Sequence, residues 1–200
     1  MRPAKGEQTR SAILDAALAQ ASESGFESLT IGALAGRTGL SKSGLFAHFG
    51  SREDLQIAAI QAAAARFTET VFLPALKARR GLPRLRALFA GWLDWSGRSG
   101  LEYGCPMQAA AVEFDDRPGP VRDEVHAHFA RLEREVGRAV QMAVDEGHLR
   151  KGLDVDQFVF ELIGIVYGYH HRLRLLRRRG ADANARAAFE RLIAASSVNP

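Results

Sequence analysis

The amino-acid sequence predicts an all-α protein of about nine helices, and three observations carry that reading. Apolar residues recur at i, i+3, i+4 spacing along nearly the whole chain. Runs that alternate apolar and polar residues with β-branched character are absent. Breaks rich in Gly, Pro or charge fall at residues 24–25, 37–40, 50–51, 80–83, 97–104, 115–120, 146–154 and 179–182, cutting the chain into helix-sized pieces. With 200 residues, 46% of them hydrophobic and 25% charged, the chain can build a sizeable core and carries no charge excess that would favour disorder. A single cysteine, Cys105, excludes an intramolecular disulfide framework and an all-cysteine metal site, and it fits a reducing, cytoplasmic setting. No apolar signal-like stretch follows Met1. The longest uncharged apolar-rich stretch, residues 162–171, falls far short of the roughly 20 residues that span a bilayer, so no membrane partner is expected.

The first helix is expected over about residues 8–24, with Ile13, Leu14, Ala17, Leu18 and Ala21 as its apolar stripe. Thr30 is placed to cap a second helix whose buried side is Ile31, Leu34 and Ala35, and Gly39 ends it. Ser41 caps a third. Only residues 37–40 separate helices two and three, so the pair must cross sharply with Leu40 tucked beneath, which is helix-turn-helix spacing. On the third helix, Leu45, Phe46 and Phe49 share an arc about 100° wide that reads as the core face. The other side holds Ser43, Gly44, Ala47 and His48, small or polar residues that permit close backbone approach to a facing surface. Between residues 30 and 52 there is no carboxylate, while Arg37, Lys42 and Arg52 remain, a balance suited to phosphates. Ser51-Arg52-Glu53-Asp54 then starts a capped fourth helix whose first amides could meet a phosphate beside Arg52, although the acidic pair would repel one.

These residues carry a resemblance. The stretch Leu29-Thr30-Ile31, Leu34-Ala35, then Thr38-Gly39-Leu40-Ser41-Lys42-Ser43-Gly44-Leu45-Phe46-Ala47-His48-Phe49-Gly50-Ser51-Arg52-Glu53-Asp54-Leu55 resembles, without a gap, the DNA-binding domain of TetR-family transcription regulators. The likeness covers about residues 8–60 and includes Thr9-Arg10, Ile13-Leu14 and Ala16-Ala17 before it, with Gly25-Phe26 ahead of helix two. It implies a DNA-binding domain over residues 1–55 and a ligand-binding and dimerisation domain over 56–200. It also implies that Thr30, Arg37, Ser41, Lys42, Ser43, Gly44, Ala47, His48 and Arg52 lie at or near double-stranded operator DNA. One departure stands out: the family commonly has a tyrosine, whose hydroxyl often meets a phosphate, where this chain has Phe46. Direct base readout is then expected of Lys42, Ser43 and Arg37, with DNA shape supplying the rest.

Beyond Leu55 the resemblance is one of architecture. Helix four is expected to run to about residue 78, its apolar face continued by Phe67, Val71, Phe72 and Leu76, and to transmit any ligand-driven tilt to the recognition helix. Trp92, Met107, Phe129 and Tyr167 are the chosen lining of an effector pocket, which suits a hydrophobic or aromatic small molecule. Residues 102–135 hold eight acids against four arginines and read as a solvated face. His126 and His128 are two residues apart and point about 200° apart on a helix, so they cannot chelate together, and no metal or cofactor is expected. Cys105, ahead of Pro106, reads as an inert thiol or, if its thiolate were stabilised, a redox sensor. Helix eight, about residues 155–178, is apolar almost all round and so expected to be buried on both sides, with Gly164 and Gly168 allowing close approach of a helix from within the chain or from a second subunit. Helix nine adds Phe189, Leu192 and Ile193. By resemblance, helices eight and nine pair with their two-fold mates in a homodimer. The five arginines in residues 172–179 read as a solvated helix end or a second nucleic-acid patch.

The functional expectation is a homodimeric, ligand-responsive repressor of a palindromic operator. An enzyme is disfavoured, because no P-loop, Gly-x-Ser-x-Gly, HExxH or paired catalytic carboxylates occur. The alternative is a helical hydrophobe-binding protein that keeps the fold and has lost DNA affinity.

Overall fold

The computed structural model describes residues 5–198, which are helical almost throughout. In chain order the helices are α1 (Lys5–Ser24), α2 (Ile31–Thr38), α3 (Lys42–His48), α4 (Arg52–Phe67), α5 (Leu82–Leu93), α6 (Pro106–Phe114), α7 (Pro120–Asp145), α8 (Val155–Arg174) and α9 (Ala181–Ser196). A 3-10 turn, Phe26–Ser28, joins α1 to α2, and short helical turns lie at Leu73–Ala75 and Trp95–Arg98. Among the described residues the one extended pairing is an isolated bridge between Leu149 and Ser197. No described helix is long and apolar enough to cross a membrane.

The chain divides into two compact units, one reaching Phe67 and including Ser96–Phe129, the other comprising Thr68–Trp95 and the chain from Ala130 onward. The unit that contains α1 to α3 is therefore larger than residues 1–55. The 20-residue α1 and the short α2 and α3 cannot enclose their own apolar faces, and this unit completes its core with more chain. Ile13, Ala17 and Ala21 of α1 meet Ile31 and Leu34 of α2, Leu45 of α3, and Leu55, Ala59 and Ile60 of α4. Ala110 and Phe114 of α6, with Val121 and Val125 of α7, close the cluster. In the second unit, Phe89 of α5 stacks on Phe189 of α9 with ring centroids 4.0 Å apart, and Leu85, Phe158, Leu162, Val166 and Ile193 are buried. The Tyr169 hydroxyl of α8 donates to the Leu93 carbonyl at 3.1 Å, fixing the end of α5.

Three expectations are corrected. Phe46 is not a core residue: it is 51% exposed, while Leu45 and Phe49 are buried. On a helix of only seven residues the core reaches one narrow stripe, and Phe46 lies just beyond it. Helix four does not run straight to residue 78. It ends at Phe67 and passes through a wider π turn, Thr68–Phe72, into Leu73–Ala75. Pro74 has no N–H to give to the preceding turn, so the regular i→i−4 ladder cannot continue there. Val71 stays buried, but Leu76 is exposed rather than part of one continuous apolar face. Within a single chain, helix eight is covered on one side and its other side is left open. Phe158, Val159, Leu162 and Val166 face the interior of its unit, whereas Phe160 is 74% and Tyr167 40% exposed. It also stops at Arg174, short of residue 178.

His170, half-buried on α8, titrates below its ordinary value of 6.5 because burial disfavours the imidazolium, with Arg174 and His171 adding repulsion. A lowered pKa in the folded state means that the unfolded chain takes up the proton first. Stability should therefore be unaffected by this group above pH 6.5 and decline as pH falls below it. Thermal unfolding followed by circular dichroism is expected to show a midpoint that drops between about pH 7 and pH 5, less steeply in His170→Gln.

Candidate nucleic-acid interface

The helix-turn-helix is built by side chains that spend themselves on the backbone. Thr30 Oγ1 accepts the Ala33 N–H at 3.1 Å and starts α2. Gly39, at φ 69°, sits in the left-handed region that an unbranched Cα tolerates best, and its N–H returns to the Ala35 carbonyl at 3.0 Å. Two residues later Ser41 Oγ accepts the Gly44 N–H at 3.0 Å and starts α3. Stop and start lie so close that α2 and α3 must cross, with half-buried Leu40 between them and Leu34 and Leu45 buried on either side. Ser51 Oγ accepts the Asp54 N–H at 3.0 Å and donates to the Asp54 carboxylate at 2.7 Å, capping α4.

The outward face of α3 consists of Lys42, Ser43, Phe46 and Ala47, all exposed. This face is rotated from the one expected. Gly44 and His48, assigned to it from the sequence, are only partly exposed, and Phe46 joins it. Gly44 is also crowded from within, since a Cβ there would stand 3.2 Å from Ser41 Oγ. Lys42 extends along α2, with Cε 3.7 Å from where a Gly32 Cβ would lie. Gly32 and Gly36 leave α2 bare beside it.

The two arginines in the predicted set behave differently. Arg37 pairs with Glu23 at 3.3 Å, both half exposed, a contact weak enough to be exchanged for a phosphate. Arg52, equally exposed, folds back on the chain: Nε donates to the Leu29 carbonyl at 3.0 Å and Nη2 to the Glu27 carbonyl at 2.5 Å, and the Glu27 carboxylate stands 3.4 Å away. It fastens α4 to the turn before α2. Arg10, which motif reasoning did not single out, lays its guanidinium 5.0 Å from the Phe49 ring centroid at the end of α3. Equally unanticipated, Glu113 of α6 accepts the Phe26 and Glu27 N–H groups at 3.0 and 2.9 Å. No local signal marks such a residue, because its partners lie 87 and 86 positions away.

Of the residues chosen as effector lining, Met107 and Phe129 rest half-buried against the core of the first unit. Trp92 is 8% exposed in the second, and Tyr167 stands on the open side of α8 with Phe160. A cleft of about 340 Å³ in the first unit is charged rather than apolar, with Arg52, Arg117 and Arg122 facing Glu27 and Glu53. His128 pairs with Glu124 at 2.9 Å, and no group of three metal-ligating side chains occurs among the described residues.

Two family models match the chain: "Bacterial regulatory proteins, tetR family" over residues 13–59 and "Tetracyclin repressor-like, C-terminal domain" over residues 81–189. A TetR transcriptional regulator from Chloroflexus aurantiacus is 26% identical, with 94% of each chain covered and a TM-score of 0.82. A transcriptional regulator of the TetR family from Cytophaga hutchinsonii covers all of both chains at 18% identity and a TM-score of 0.87. AibR, solved in complex with isovaleryl coenzyme A and operator DNA, is 19% identical over 94% of this chain and 97% of its own, with a TM-score of 0.71. No curated protein matches in sequence.

Removing the cap of α3 isolates its local contribution. Ser41→Ala is expected to cost about 1 kcal/mol of stability, read as a lowered midpoint in urea denaturation with an unchanged slope.

Proposed function

The chain belongs to the TetR family of bacterial regulatory proteins, and from that premise we propose how this DNA-binding, ligand-responsive regulator meets its operator. Lys42, Ser43, Phe46 and Ala47 enter the major groove, and Thr30, Arg37, Ser41 and the N-terminal turn of α4 lie along the flanking phosphates. The observation that carries this reading is the outward face of α3. It presents one cation, one hydroxyl and two apolar groups with no carboxylate anywhere between residues 30 and 52. Arg52 acts from behind, holding the turn on which α2 stands. Because Phe46 lacks a hydroxyl, phosphate contact from that position is absent and Lys42 carries more of the local electrostatic attraction.

Two copies of the head are needed to read a palindrome, and the open side of α8 supplies a place for pairing. Phe160, Gly164, Tyr167, Gly168 and Leu175 recur at helical spacing on it, and neither glycine has an atom within 4 Å of where its Cβ would be. Bare glycines between aromatics let a second helix come close. We assign this face, with α9, to the homodimer contact, and Tyr167 therefore belongs to that contact more than to a pocket. Met107 and Phe129 remain candidates for effector contact in the first unit, and Trp92 is a separate candidate in the second. An effector with an apolar group suits these side chains, and the similar AibR is solved with isovaleryl coenzyme A.

Operator DNA selected from a random-sequence pool and titrated by fluorescence anisotropy tests the reading. Tight binding that resists competitor, at two chains per site or a multiple, is the expected result; binding fully competed by random DNA would favour a protein that has lost specific recognition. Lys42→Ala is expected to weaken binding and to reduce the slope of log affinity against log salt by about one. Phe160→Glu should leave the folded monomer intact, since that side chain is exposed, yet raise the dimer dissociation constant by at least about tenfold in sedimentation equilibrium.

A further inference from the structure

The 3-10 turn Phe26–Ser28 leads directly into Thr30, the cap of α2, so its position sets the position of the helix-turn-helix. The turn opens on Gly25, which has no side chain with which to cap it. Its first two N–H groups, of Phe26 and Glu27, are orphans of the kind that a local Ser, Thr, Asp or Asn normally satisfies. Both are taken instead by one carboxylate from α6, Glu113, at 3.0 and 2.9 Å. Gly25 is at φ 79°, and a Cβ there would stand 1.9 Å from Glu113 Oε1, so glycine is required twice over, for the backbone angle and for the approach of the carboxylate.

Met107, Ala110 and Phe114 add apolar contacts between α6 and the core of this unit. Apolar contact is non-directional and tolerates small sliding or rotation of one element on another. Two charge-assisted hydrogen bonds to consecutive amides do not. Glu113 thus supplies register, whereas its neighbours supply adhesion. We propose that Glu113 is a positioning residue for operator binding: by clasping Phe26 and Glu27 it holds α2, and with it α3, in the setting that fits the major groove. This rests on the DNA-reading role given above.

Glu113→Gln keeps the shape and loses the charge and one acceptor, and Glu124→Gln, a nearby carboxylate on α7, serves as the control. Two readouts are taken from the full chain. In operator titrations well below the unfolding temperature, corrected for active fraction, Glu113→Gln is expected to weaken selected-operator binding about tenfold while non-specific binding stays within about twofold. In hydrogen exchange of the free protein, the amides of Phe26 and Glu27 and those along α2 are expected to lose protection together, with α7 unchanged. A lower unfolding temperature with unchanged operator affinity would overturn the proposal and leave Glu113 a structural staple only. Faster exchange confined to Phe26 and Glu27, with α2 as protected as before, would overturn it as well. The exchange readout needs no DNA, so if the unmutated protein selected no operator, the DNA-reading role would fail while the link from Glu113 to α2 would still be decided.

Discussion

Much of the DNA-binding head depends on satisfying the peptide groups of residues 25–29, a bend between helices where no regular ladder is available to do it. Each of the ten backbone groups finds a partner. The Gly25 N–H returns to Ala21, those of Ser28 and Leu29 close the 3-10 turn, and Glu113 takes the remaining two. On the acceptor side, the Gly25 carbonyl serves Ser28, that of Phe26 serves Gln56, those of Glu27 and Leu29 serve Arg52, and that of Ser28 serves Gln20. Side chains from α1, α4 and α6 thus converge on five residues. A bend held from three directions is a rigid base for a helix of only eight residues.

That rigidity matters because α2 and α3 are too short to be stable alone. Capping hydroxyls and a left-handed glycine define where each begins or ends, and the burial of Leu34, Leu45 and Phe49 presses both onto α1 and α4. With so much of the local polar chemistry committed inward, what is left for a ligand is the outward strip of α3 and the bare, glycine-containing side of α2. Such a strip can come close to a polyanion without meeting a carboxylate. The price is few hydrogen-bonding groups for base edges, so in the binding mode proposed above DNA shape and the apolar groups Phe46 and Ala47 carry discrimination while phosphate contacts fix position.

The open side of α8 shows the same logic at larger scale. One face of the helix is occupied by Phe158, Leu162 and Val166 within its own unit, and the other carries the exposed rings of Phe160 and Tyr167 and two exposed glycines. A helix apolar on two faces and covered on one has surface left over, and the homodimer proposed above would cover it.

How much of this could be read in advance divides by the range of the interaction. Caps, left-handed glycines, the helix-turn-helix spacing and the helical period are local, acting over three or four residues, and the sequence by itself determined them together with the all-α class and the family resemblance. Phe46 marks the limit: periodicity put it within an apolar arc, but only the packed neighbours of α3 decide how wide a stripe is covered. The fold-back of Arg52 onto the 3-10 turn and the clasp of Glu113 were decided by tertiary structure alone. Their partners are brought together by the fold across tens of residues, and nothing in the spacing of a chain encodes which distant carboxylate will meet which orphan amide.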